Sequence, residues 1–123
     1  SEMCIRDRQW IMNLDEALDY IPEYEGNLLR DVDISDPELI QNFLDEFVED
    51  EIWSTPQYLS TTKSEEYNSD ATIRIYIQNS RKGHDLGQYN VAEREVLYER
   101  GMKFKVLQKM RYESKWYIVL EEM

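Results

Sequence analysis

An α+β fold is predicted by three observations: helix-period segments come first, strand-period segments follow, and the two do not alternate as a doubly wound parallel sheet requires. With 123 residues, 41% hydrophobic and 12% aromatic, the chain can fill one core but not two. A single domain is therefore expected over residues 9–123. The opening "SEMCIRDR" has no clear periodicity and resembles translated library-adapter sequence, so residues 1–8 are expected to be non-native and the natural protein to continue upstream.

The first helix is predicted in "NLDEALDYIP", where Asn13 and Glu16 form a capping box, Leu14, Ala17, Leu18 and Ile21 recur at helical spacing, and Pro22 stops the run. A second helix is predicted in "SDPELIQNFLDEFVEDEIW". It can start from Ser35 with Glu38, or from Asp36 with Pro37 in the first turn, and its apolar stripe is Leu39, Ile40, Phe43, Leu44, Phe47 and Val48. From Tyr58 the period becomes two. In "ATIRIYIQ" the residues Ile73, Ile75 and Ile77 share one face, while Thr72, Arg74 and Tyr76 share the other. "KFKVLQ" pairs Phe104 with Val106, and "KWYIVLEE" aligns Trp116, Ile118 and Leu120. Between these strands "NSRKGHDLGQYN" has two glycines and no period, which predicts a loop.

Charge removes several functions. A formal net charge of −12 repels phosphate backbones and anionic lipid, so neither nucleic acid nor membrane is an expected partner. No apolar run approaches the roughly 20 residues that cross a bilayer, and a soluble monomer is expected. Cys4 is the sole cysteine, so there is no disulfide framework. His84 is the sole histidine; with no second histidine or cysteine nearby it is expected to be solvated, and no metal is expected.

The segment "EREVLYERGMKFKVL" poses the sharpest question. In an extended chain Glu93 and Glu95 point to the same side, their Cβ atoms roughly 6–7 Å apart. Such a pair suits chemistry in which positive charge develops at a sugar carbon, and equally it suits a solvated strand edge. E-x-E also occurs at Glu23/Glu25 and Glu49/Glu51, but only Glu93/Glu95 runs on into V-L-x-x-x-G-x-x-F-x-V at a loop-to-strand junction.

That segment resembles the biglutamate region of arginine-type mono-ADP-ribosyltransferases, the group that includes bacterial exoenzymes and phage-encoded transferases. "YLSTTKS" resembles the S-T-S strand of the family, "KWYIVLEE" its closing strand, and "YEGNLLRD" the segment that supplies its arginine, here Arg30. Leu29 and Asp31 stand where the family commonly has an aromatic residue and a glycine. The resemblance covers residues 14–122 and implies a split β-sheet sandwich preceded by helices, N-terminally truncated in this chain.

It also implies a reaction: ADP-ribose moves from NAD to an arginine of an acceptor protein, and nicotinamide is released. Glu95 would stabilise the ribosyl cation, Glu93 would orient or deprotonate the acceptor guanidinium, and Ser60 would fix Glu95. Arg30, Asp31, Ser60, Thr61 and Thr62 would form the NAD-binding set, with Arg30 on the pyrophosphate, and Tyr89 would meet the acceptor. Two other readings stay open at this point: an ADP-ribosyltransferase-like domain that does not catalyse or only hydrolyses NAD, and an acidic module that binds a basic protein.

Overall fold

The computed structural model describes residues 16–63, 71–86 and 94–123. Its elements are β1 (Glu23–Val32), α1 (Pro37–Asp45), β2 (Ile52–Ser54), β3 (Leu59–Thr62), β4 (Ile73–Asp85), β5 (Glu95–Tyr98), β6 (Lys103–Tyr112) and β7 (Lys115–Glu122). Residues 16–18 add a helical turn, with Leu18 buried beneath it; the predicted start of that helix at Asn13 and Leu14 lies outside the described residues.

The strands form one sheet in the order β1-β3-β5-β4-β7-β6-β2, and β1 also pairs with β4. That extra pairing closes β1, β3, β5 and β4 into a ring. Beyond the ring, β4 passes in parallel to β7, and β6 and β2 follow antiparallel, so a closed unit and an open layer share the long strand β4. This is the predicted α+β split sandwich.

Alternation builds the core. Ile73, Ile75 and Ile77 of β4, Phe104 and Val106 of β6, and Ile118 and Leu120 of β7 are all buried, as the period of two requires. Each fully buried aliphatic side chain is worth about 1.5–3 kcal/mol, so these positions dominate stability. Phe43, Phe47, Trp53, Phe104 and Tyr98 carry the packing across the domain as a chain of ring contacts.

Helix α1 starts from Asp36, whose side chain accepts from the Glu38 N–H at 2.9 Å, with Pro37 in the first turn; the Ser35 start is not used. The helix ends at Asp45, short of the expected stripe. Asp50 takes a left-handed φ of 69°, its N–H donates to the Val106 carbonyl, and the chain leaves as β2 along β6. Strand pairing overrides helix propensity there; of the expected stripe Leu44 and Phe47 are buried, and Leu39 and Val48 are exposed.

The predicted loop "NSRKGHDLGQYN" is corrected over its described part. β4 runs through Asp85 because β1 pairs along one side of it and β5 along the other. Asn79, with φ 56°, and register shifts against β1 between Tyr24 and Leu28 erase the alternation that sequence reading depends on. Gly83 is needed there: a Cβ would sit 2.6 Å from Val96 Cγ1.

One buried polar group ties the two layers together. The Tyr98 hydroxyl lies 2.5 Å from Ser80 Oγ and 2.9 Å from Glu122 Oε2, which also accepts the N–H groups of Arg81 and Lys82. Burial pushes the Tyr98 phenol well above its usual 10, and the Glu122 charge adds to that. A raised folded-state value means that the folded protein holds this proton more tightly than the unfolded chain does. The resulting stability is complete below pH 10 and is lost as pH rises past it. Urea midpoints measured between pH 8 and 11 should fall steeply above about pH 10, and Tyr98→Phe should flatten that fall while lowering stability by about 1–3 kcal/mol at neutral pH.

Candidate active site

Three adjacent strands set the site. Leu29 of β1 pairs with Thr62 of β3, and Thr62 pairs with Glu95 of β5. Along β3 the side chains alternate, so Ser60 and Thr62 face one way and Leu59 and Thr61 the other. Ser60 Oγ donates a short hydrogen bond to Glu95 Oε2. Residues 35 apart in the chain, which the sequence could join only by resemblance, are thus in direct contact.

Backbone bonds hold that contact in register. Leu86 N–H donates to the Glu95 carbonyl at 2.8 Å, and Lys63 N–H donates to the Arg94 carbonyl at 3.1 Å. Thr61 turns inward and its hydroxyl donates to the Val96 carbonyl at 2.6 Å. That bond clamps β3 to β5. Thr62 is buried in the same layer as Glu95. Glu95 itself is half-buried, so one carboxylate oxygen is held by Ser60 while the group stays reachable from solvent.

Arg94 escaped the sequence reading. It takes φ 49°, a left-handed conformation that costs a residue with a Cβ roughly 1–2 kcal/mol, and it is exposed immediately before Glu95. A lone arginine between two glutamates carries no sequence signal for such a backbone. Glu93 and Tyr89 lie outside the described residues.

Arg30 and Asp31 follow Leu29 on β1, the strand beside β3. Arg30 is exposed, pairs with Ile75, and lines a pocket with Leu59, the β3 residue that faces away from Glu95. Asp31 faces the opposite way and gives both carboxylate oxygens to Arg74, at 2.7 and 2.9 Å, with its side chain 1% exposed. That pairing holds the Arg74 guanidinium above its ordinary value.

His84 is corrected as well. It is buried on β4, opposite Leu97 of β5, and its Nδ1 lies 3.2 Å from the Ile21 carbonyl, which can only accept. The protonated Nδ1 therefore fastens the chain before β1 onto β4. Among the described residues no three histidine, cysteine, aspartate or glutamate side chains form a metal-holding group.

A ring of four strands, continued by a parallel crossover into a second layer, is a fold that this chain shares with solved ADP-ribosyltransferase structures. No protein-family model matches the chain, and no curated protein matches it. Solved structures do. The type III effector XopAI of Xanthomonas axonopodis pv. citri superposes with a TM-score of 0.72 at 18% identity, over 87% of this chain and 46% of that one. The ADP-ribosyltransferase Vis of Vibrio splendidus, in complex with agmatine, gives 0.71 at 22% identity over 94% and 57%. The C3 exoenzyme of Clostridium limosum gives 0.76 at 11% identity over 98% and 71%. The chain spans about half the length of the first two.

Proposed function

We propose that the chain is an NAD-dependent mono-ADP-ribosyltransferase that moves ADP-ribose from NAD to an arginine of a target protein and releases nicotinamide. The observation that carries this reading is the Ser60–Glu95 hydrogen bond, set in a fold shared with ADP-ribosyltransferase toxins.

Glu95 stabilises the positive charge that develops at the ribose carbon as the bond to nicotinamide breaks, and it accepts from a ribose hydroxyl. Ser60 keeps its carboxylate in one rotamer, so little reorganisation is needed during the reaction. Glu93, two residues earlier, takes the proton that the acceptor guanidinium loses on forming the new bond. Tyr89 meets the acceptor from the preceding segment. Thr62 completes the wall beside Glu95. Arg30, exposed on β1, takes the pyrophosphate in this reading, and Arg94, exposed beside Glu95, is the nearest cation by sequence. The arginine acceptor is supported by agmatine bound to Vis, because agmatine carries a guanidinium group.

Label transfer from NAD to polyarginine and to polylysine tests the reading. Transfer to polyarginine alone is expected. Ser60→Ala should slow it by up to about 10²-fold, with the thermal midpoint little changed, because the lost bond positions Glu95 and supports no core contact. Nicotinamide release without transfer would mark an NAD hydrolase instead.

A further inference from the structure

Lys63 and Asp85 take no part in the proposed reaction, yet they frame the strand that carries Glu95. β5 runs between β3 and β4; its first residue, Glu95, pairs with Thr62 at the end of β3, and Val96 pairs with Asp85 at the end of β4. Lys63, the residue after β3, reaches across to β4, where its Nζ lies 3.0 Å from Asp85 Oδ2. The two side chains are only 20% and 29% exposed. Asp85 shares the Val96 side of β5, which is the side opposite Glu95.

The backbone repeats that arrangement. Lys63 N–H donates to the Arg94 carbonyl at 3.1 Å, and the N–H of Leu86, the residue after Asp85, donates to the Glu95 carbonyl at 2.8 Å. The two peptide groups that flank the Glu95 Cα are thus held from opposite sides, each by a residue at or next to the ion pair. Arg94, strained at φ 49°, lies within this grip.

The pair is itself fixed from β1. The Tyr24 ring centroid lies 5.5 Å from Lys63 Nζ, and Asp85 N–H donates to the Pro22 carbonyl at 2.8 Å. Gly26, at φ 145°, leaves room for that ring, since a Cβ there would sit 2.8 Å from the Tyr24 hydroxyl. Three strands therefore meet at one ion pair beneath the start of β5. A partly exposed pair adds little to global stability, so its effect is local.

We propose that Lys63 and Asp85 are positioning residues: their ion pair ties β3 to β4 around the start of β5 and so fixes the Glu95 carboxylate against Ser60 Oγ. Neither side chain touches the reacting atoms. A displacement of about 1 Å at a catalytic group can cost up to about 10²-fold in rate, which makes a short strand held at its first residue a sensitive place. The proposal rests on the transferase reading for its effect on rate, but not for its effect on the backbone.

The test compares the whole chain with Lys63→Met, Asp85→Asn, their double variant and Lys63→Arg. Amide hydrogen exchange comes first and uses no NAD. The N–H groups of residue 63 and Leu86 should exchange about threefold or more faster in Lys63→Met and in Asp85→Asn, while those of Ile75 and Ile118 stay unchanged and Lys63→Arg keeps its protection. With NAD, kcat for nicotinamide release should fall about tenfold in both single variants, with KM within about twofold and the thermal midpoint within a few degrees. The double variant should be no slower than the slower single one, because both remove the same contact. Unchanged exchange at both amides overturns the proposal, and so do an unchanged kcat and losses that multiply in the double variant. A uniform rise in exchange through Ile75 and Ile118 also overturns it, by marking the pair as merely structural. If the unaltered chain releases no nicotinamide, the transferase reading fails, and the exchange rates alone decide whether the ion pair holds the peptides around Glu95.

Discussion

Glu95→Gln is expected to lower nicotinamide release and ADP-ribose transfer by about 10²–10³-fold while leaving the fold intact. The size follows from charge. A carboxylate about 4 Å from a unit positive charge, at the effective dielectric of a partly buried protein site, is worth about 4 kcal/mol. Each 1.36 kcal/mol of barrier is roughly tenfold in rate, so losing that attraction accounts for the whole range. Glutamine keeps the shape and can still bond to Ser60 Oγ, so the thermal midpoint should move by no more than a few degrees. Rates measured at saturating NAD separate this loss from weaker binding. A variant as fast as the unaltered chain would remove Glu95 from the chemistry, and a reading based on acidity alone would gain, because one charge in a net −12 changes little.

Asp31→Ala is expected to destabilise the fold by about 3–5 kcal/mol in urea unfolding. Its carboxylate holds both Nε and Nη2 of Arg74, and the two side chains are 1% and 11% exposed. Removing the acid leaves a guanidinium buried without its anion. The Tyr76 ring, 6.0 Å from the Arg74 guanidinium carbon, offers only a weak substitute. Replacing both partners with apolar residues, as in Asp31→Leu with Arg74→Met, should recover most of the loss, because no charge is then stranded. Two single losses that simply add in the double variant would contradict this account of the pair.

The parts of the fold that alternate cleanly were legible. Ile73, Ile75 and Ile77 announce β4 because each apolar residue is followed by one that turns outward, and the same holds for Phe104 with Val106 and Ile118 with Leu120. The second half of β4 was hidden by its own irregularity. Asn79 turns left-handed and Gly83 yields space to Val96, so a segment that looks like a loop is a strand paired on both sides. His84 was misjudged for the same reason, since a histidine in an apparent loop has no visible burial partner. The end of α1 was equally hidden: β2 is specified by the edge of β6, some fifty residues further on, and by nothing local.

The site divides along a similar line. Ser60 and Glu95 could be joined because two recognisable strands each contribute one residue. Which face each strand turns to the site is a matter of register, and a one-residue difference in register reverses it. Arg30 was placed by its neighbours in sequence; its side chain is exposed and lines a pocket with Leu59.

The central claim is that Glu95, held by Ser60, promotes cleavage of the bond between ribose and nicotinamide. Nicotinamide release from NAD by the purified chain, with folding confirmed by the dispersion of its spectrum, tests this most directly. The account predicts steady release, increased by an arginine-bearing acceptor. No release from the folded chain would contradict it and leave a transferase fold that does not catalyse.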